Sequence, residues 1–161
     1  MKKNGAFTIN GSSRQMTVDD ERTRLWFLRI DPGLTGREYG GGEGYCGSCT
    51  MRVDGEAVRS CQTPVKDIEG KEVITIEGLA SNGNLHLLLK AFMAHDALQC
   101  GYCTPGTILS AYALLQKNPN PTEDDIKKAI DGNLCRCTGY VQQIEAVKRA
   151  CELLKEEANG K

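Results

Sequence analysis

Four cysteines constrain this chain more than anything else in it. Cys100 and Cys103 form a C-x2-C in Gln99-Cys100-Gly101-Tyr102-Cys103-Thr104-Pro105-Gly106. Cys135 and Cys137 form a C-x-C in Asn133-Leu134-Cys135-Arg136-Cys137-Thr138-Gly139-Tyr140. The 31 residues 104–134 separate the two halves. Thiolates are the ligands that suit iron–sulfur clusters, and a [2Fe–2S] cluster takes four of them, two on each iron. A C-x2-C turn offers two thiolates to one centre, and a two-residue step through an extended segment sets both C-x-C side chains on one side. The adjoining glycines let backbone N–H groups approach sulfur with no Cβ in the way. The pattern points to a redox cluster in the second half of the chain.

Two plainer readings use the same thiols. Disulfides suit a short secreted chain, but Met1-Lys2-Lys3-Asn4-Gly5 leads directly into a strand-like run without an apolar signal region. A structural zinc is the stronger competitor, because paired cysteines often bind zinc. C-x-C is less usual among zinc spacings, so spacing favours iron–sulfur without deciding the matter.

The 161 residues suffice for one ordinary domain or two small ones, and 40% hydrophobic with 25% charged residues describes a soluble globular chain. A formal net charge of −1 gives no support to nucleic-acid or membrane binding. No apolar run reaches membrane-spanning length, so no direct membrane insertion is expected. Eight cysteines without a secretory signal indicate a reducing compartment and metal, with a cytoplasmic location by default or export as a complex on a partner's signal.

The first half reads as a small sheet with one helix. Asn10-Gly11 and Asp54-Gly55 are hairpin turns between strand-like arms. Residues 19–30 read as a capped helix that buries Leu25, Trp26, Phe27 and Leu28, with Trp26 as a core anchor. Val73 to Glu77 reads as a strand. The loop from Gly33 to Cys49 is dense in glycine, yet lacks the G-x4-G-K-[ST] of a phosphate loop and follows no apolar strand. Ala80 to Asn84 reads as a linker.

The second half reads as helices. Leu85, Leu88, Leu89, Phe92 and Met93 recur at helical spacing, with His86 and His95 flanking as surface or capping residues rather than ligands. Thr104 caps a second helix with Pro105 at its first position. Thr122 with the acids that follow starts a third. The last runs from about Val141 to Glu157 and buries Cys151 on its apolar stripe.

With both halves in view, the sequence resembles the iron–sulfur subunit of the molybdenum hydroxylases, the family of xanthine dehydrogenase, aldehyde oxidoreductase and carbon monoxide dehydrogenase. Leu25-Trp26 through Gly36, Val58 through Pro64 and Asn133 through Gly139 look most like the small subunit of isoquinoline 1-oxidoreductase-type enzymes. The resemblance runs from about Phe7 to Cys151 and favours iron over zinc. It implies an α+β fold: a plant-ferredoxin-like β-grasp domain over 1–79, then a four-helix bundle over 80–161. It implies two [2Fe–2S] clusters, one on Cys100, Cys103, Cys135 and Cys137, the other on Cys46, Cys49 and Cys61. Gln99 and Cys137 match positions that meet the molybdopterin held by a large catalytic partner subunit. Electrons would pass on to a flavin or cytochrome subunit or another acceptor, and this chain would carry no substrate-activating residues. The alternative is a structural metal-binding subunit with one cluster site lost.

The sequence departs from that family at Gly41. The first-cluster pattern is C-x4-C-x2-C-x11-C, and glycine stands at its first position. Three outcomes are open. Water, or an acid such as Glu43 or Glu38, completes the cluster; a different three-thiolate cluster forms; or the site is lost.

Overall fold

The computed structural model describes residues 2–81 and 83–160. Strand β1 (Lys2–Ile9) alternates, with Gly5, Phe7 and Ile9 buried, as a half-covered strand requires. It returns antiparallel as β2 (Ser12–Asp19) through Asn10 and Gly11, both at positive φ (50° and 75°). Asp54 and Gly55 (46° and 92°) make the same kind of turn between β3 (Thr50–Val53) and β4 (Glu56–Arg59). Strand β5 (Glu72–Ile74) lies between the hairpins, parallel to β1 and antiparallel to β3. The described residues thus form a five-stranded sheet ordered β2-β1-β5-β3-β4.

Helix α1 (Arg24–Ile30) lies on this sheet and closes a core of Phe7, Val18, Phe27, Leu28, Met51, Val53 and Val73. Trp26 is not the expected core anchor; it is 42% exposed and meets the Tyr39 ring at 5.5 Å between centroids. A seven-residue helix has one inward face, taken here by positions 24, 25, 27 and 28, and position 26 falls opposite. The expected strand through Glu77 also ends early. The Asn10 side chain bonds both the N–H and the hydroxyl of Thr75 at 2.9 Å, which takes the chain out of the ladder. Residues 76–79 then form a 3₁₀ turn that points Ile76 and Leu79 at the helices.

Residues read as a linker hold two short paired strands, β6 (Ala80–Ser81) and β7 (Asn84–Leu85); Asn82 lies outside the described residues. Leu85 therefore precedes helix α2 (Leu87–Ala94), whose first turn is capped by His86 through Leu88 N–H (3.1 Å). Met93 is 58% exposed, so the core face is narrower than the periodicity implied. In α3 (Thr104–Lys117) the cap position belongs to Cys103, and Thr104 is the first helical residue. Helix α4 (Glu123–Ile130) begins on a reciprocal box, with Asp125 N–H donating to Thr122 Oγ1 (3.2 Å) and Thr122 N–H to Asp125 (2.9 Å). Helix α5 (Val141–Asn159) completes the set, and α2 to α5 share one apolar core that includes Cys151.

The two layers meet at β3. Met51 and Val53 face the sheet core, while Thr50 and Arg52 face α3, where the Arg52 guanidinium lies 5.4 Å from the Tyr112 ring centre. Among the described residues no helix is long and apolar enough to cross a membrane. Replacing Thr122 by Ala should remove the α4 cap and cost about 1 kcal/mol, read as a lower urea midpoint at unchanged slope.

Candidate metal centre

All eight cysteines are free thiols. In the helical half, Cys100 is exposed on the turn before α3 and Cys103 is buried at the helix entrance, with Gly101 (φ 84°) making the turn between them. Cys135 is half-buried and Cys137 exposed in the segment before α5, which Gly139 and Tyr140 turn with φ of 61° and 70°. Tyr140 also fixes the segment by accepting a bond from Cys135 N–H (2.9 Å). The thiols pair crosswise between the two motifs, Cys103 with Cys135 and Cys100 with Cys137. They line a cleft of about 180 Å³ together with Tyr102, Leu134 and Ser48.

The environment treats these sulfurs differently. Burial, then the bond and charge of Cys135, pushes the Cys103 thiol up to about 11. Burial pulls Cys135 the same way, but bonds from the Thr138 hydroxyl (3.1 Å) and N–H (3.4 Å) outweigh it and lower its pKa. The Cys137 thiol is raised, first by its bond to Cys100. Gln143, fully buried, donates its amide to Cys103 Sγ (3.5 Å). These N–H and O–H groups facing sulfur are the donors a thiolate needs when it is taken out of water. Gln99 is exposed beside Cys100.

A second thiol set lies in the sheet half. Cys49 and Cys61 are buried, pack on Leu25 and pair with each other, and burial raises Cys49. Cys46 is half-buried, and a Cβ built at Gly41 would lie 3.6 Å from its sulfur. Glu38 is drawn to Arg29 (3.5 Å), and Glu43 is exposed. Arg37 is wholly buried close to Cys49; burial lowers its pKa to about 10, against the opposing pull of Glu77. It therefore stays cationic at neutral pH and brings positive charge to the thiol set.

A buried junction joins the two sets. Cys46 C=O accepts from Leu134 N–H (2.9 Å). Asn133, fully buried, donates to Ser110 (2.8 Å) and accepts from Thr50 Oγ1 (3.3 Å). Arg59 binds Gly132 C=O (2.7 Å). Gly47 and Gly106 touch backbone to backbone here: a Cβ at Gly106 would fall 2.2 Å from the Gly47 carbonyl oxygen. Asn133 and Gly106 lie within the quoted motifs, but their joining role is not visible there. Gln143 carries no sequence signal, because a polar residue in the first turn of a helix ordinarily faces water.

Among the described residues no group of three or more His, Cys, Asp or Glu side chains is gathered tightly enough to hold a single metal ion. The thiols come in pairs instead. A [2Fe–2S] binding domain model matches residues 75–148, and a 2Fe-2S iron–sulfur cluster binding domain model matches residues 29–88. The nicotinate dehydrogenase small FeS subunit of Eubacterium barkeri is 44% identical over 144 residues, covering 89% of this chain and 92% of that one. The chain belongs to the [2Fe–2S] subunit family of the molybdenum hydroxylases. Isoquinoline 1-oxidoreductase subunit alpha of Brevundimonas diminuta is 42% identical over 147 residues, covering 91% of this chain and 96% of that one. The solved quinoline 2-oxidoreductase of Pseudomonas putida 86 superposes with a TM-score of 0.91 at 39% identity, covering 96% of this chain and 97% of that one. The chain is therefore a component of an oxidoreductase.

Replacing Gly106 by Ala should push the Gly47 loop off α3. The expected loss is about 1–3 kcal/mol, typical of overpacking, measured by denaturant unfolding.

Proposed function

We propose that this chain is the electron-relay subunit of a molybdenum hydroxylase, taking electrons from a molybdopterin centre on a large partner subunit and passing them toward a flavin, a cytochrome or another acceptor. One observation carries the reading: four free thiols from two distant motifs line one cleft, with Cys103 beside Cys135 and Cys100 beside Cys137. A two-iron cluster asks for two thiolates on each iron, and crosswise pairs supply them where a single tight tetrahedron would not. In this reading Cys100, Cys103, Cys135 and Cys137 would hold it, two thiolates coming from each motif. Such a cluster supplies reversible one-electron transfer when bound.

The chain's own residues set the conditions for that transfer. Gln143 and Thr138 direct donors at Cys103 and Cys135, which favours added negative charge on those sulfurs. Cys137 and Gln99 are both exposed, and in this reading they would meet the pterin of the partner. The hydrogen bond from Leu134 to Cys46 leaves a short covalent and hydrogen-bonded path from Cys135 to the sheet-half thiols. We assign residues 1–79 to a ferredoxin-like β-grasp domain and 80–161 to a four-helix bundle, noting that Ile74, Ile76 and Leu79 already pack on the helical core. We assign the chain to the cytoplasm, or to export as a folded complex on a partner's signal, because cysteines kept for metal need a reducing compartment while the cluster is built.

The test is made on the anaerobically purified complex. Replacing Cys103 and Cys135 together by Ala should remove about two irons per chain and one of the signals seen by electron paramagnetic resonance after reduction. Cys151→Ser should change neither. An unchanged iron content in the double variant would overturn the assignment. Gln143→Leu should keep the iron but move the potential of the same signal in the negative direction by tens of millivolts. That is a fraction of the roughly 1.5–3 kcal/mol a hydrogen bond to a charged group is worth, at about 59 mV per tenfold change in a one-electron equilibrium.

A further inference from the structure

Among the described residues, Tyr140 is the one whose backbone conformation does not suit its side chain. Four described residues other than glycine take positive φ, and the other three are Asn10, Asp54 and Asp96. Asn and Asp tolerate the left-handed region because their short polar side chains bond locally, whereas the Cβ of a tyrosine there crowds the backbone without that return. Tyr140 nonetheless sits at φ 70° and ψ −20°, directly after Gly139 at φ 61°. It stands at the N-cap of α5 yet makes no side-chain cap bond. A residue in such a conformation persists only where its surroundings hold it there.

What holds it is a closed circuit of hydrogen bonds around Cys135. The Tyr140 hydroxyl accepts from Cys135 N–H (2.9 Å). Tyr140 N–H donates to Thr138 Oγ1 (3.2 Å), and that oxygen lies 3.1 Å from Cys135 Sγ. Thr138 N–H donates to the same sulfur (3.4 Å). One residue thereby closes both ends of the circuit, its amide on Thr138 and its phenol on Cys135. The Tyr140 ring packs on the helical core and its C=O accepts from Ile144 N–H (3.0 Å), which anchors the circuit to α5. Each of these bonds is made by the chain's own groups.

We propose that Tyr140 is the positioning residue of the C-x-C motif, its hydroxyl fixing Cys135 beside Cys103 before any metal is bound. The proposal rests on the cluster reading above and says how one limb of that site is held ready. The phenolic oxygen is the acting group, and the ring anchors it. A preorganised donor binds without first ordering the segment that carries it.

The experiment compares wild type with Tyr140→Phe, which keeps the ring and the backbone conformation and removes only the hydroxyl. Tyr140→Gly is the second variant and relieves the backbone as well. Amide hydrogen exchange is measured on the full chain before iron is added. Iron bound per chain is then followed against time during anaerobic reconstitution of the complex with ferrous iron and sulfide. The Cys135 amide should exchange about tenfold faster in both variants, while the amides of α3 keep their wild-type rates. Iron uptake by the helical half should slow several-fold in both. A Tyr140→Phe variant that matches wild type in exchange and uptake would overturn the proposal, because the ring alone would then account for Tyr140. A Cys135 amide left unprotected in wild type before iron is added would overturn it too, because nothing would be held in advance. Faster exchange with unchanged uptake would overturn the positioning role toward the metal. Wild type that takes up no iron would instead refute the cluster reading, and the exchange rates would still decide whether Tyr140 holds Cys135.

Discussion

The buried contact between Gly47 and Gly106, closed over by Asn133, is the constraint on which the rest of this structure depends. Two thiol-bearing loops from different layers can approach this closely only if no side chains stand between their backbones. Asn133 then meets the polar groups that such an approach strands, linking Ser110 of α3 with Thr50 of β3. Arg59 secures the Gly132 carbonyl from the sheet side. Buried polar networks of this kind hold one geometry because each broken bond leaves an unsatisfied group in a low dielectric. The positions of Cys46 and Cys135 relative to one another are therefore set by hydrogen bonds and steric fit rather than by the thiols themselves.

That arrangement joins the sheet to the helices although each has its own apolar core. Strand β3 has two working faces, one completing the sheet core and the other lying on α3. The 3₁₀ turn at 76–79 crosses from one core to the other, held by the Asn10 side chain at the far hairpin. The thiol sets sit where the layers join, with one side left exposed at Cys100 and Cys137. The proposed relay would use this combination, since burial and aimed donors set the energy of an added charge while an exposed edge leaves room for a partner.

Much of this was legible in the sequence, and what was not has physical causes. Both hairpins followed from Asn10-Gly11 and Asp54-Gly55, because positive φ at two successive residues is a local demand. The four helices and the α4 cap followed from periodicity and from Thr122 with Asp125. The family resemblance, carried by cysteine spacing, pointed to the cluster-binding class. Trp26 misled because a short helix has too little surface to bury every apolar residue it carries. The early end of β5 was invisible because its cause, Asn10, lies 65 residues away. Gln143 was hidden for the same kind of reason, since its partner Cys103 is 40 residues distant. Gly41 was visible as a departure, but only the structure distinguishes it from its neighbours, whose glycines are required by φ or packing.

The central claim is that the helical-half thiols hold iron in a two-metal cluster rather than a single ion. X-ray absorption at the iron and zinc edges of the anaerobically purified complex tests it most directly. The account predicts iron surrounded by sulfur with a second iron as a near neighbour, the signature of a bridged pair. Zinc bound by sulfur, with no iron present, would contradict it.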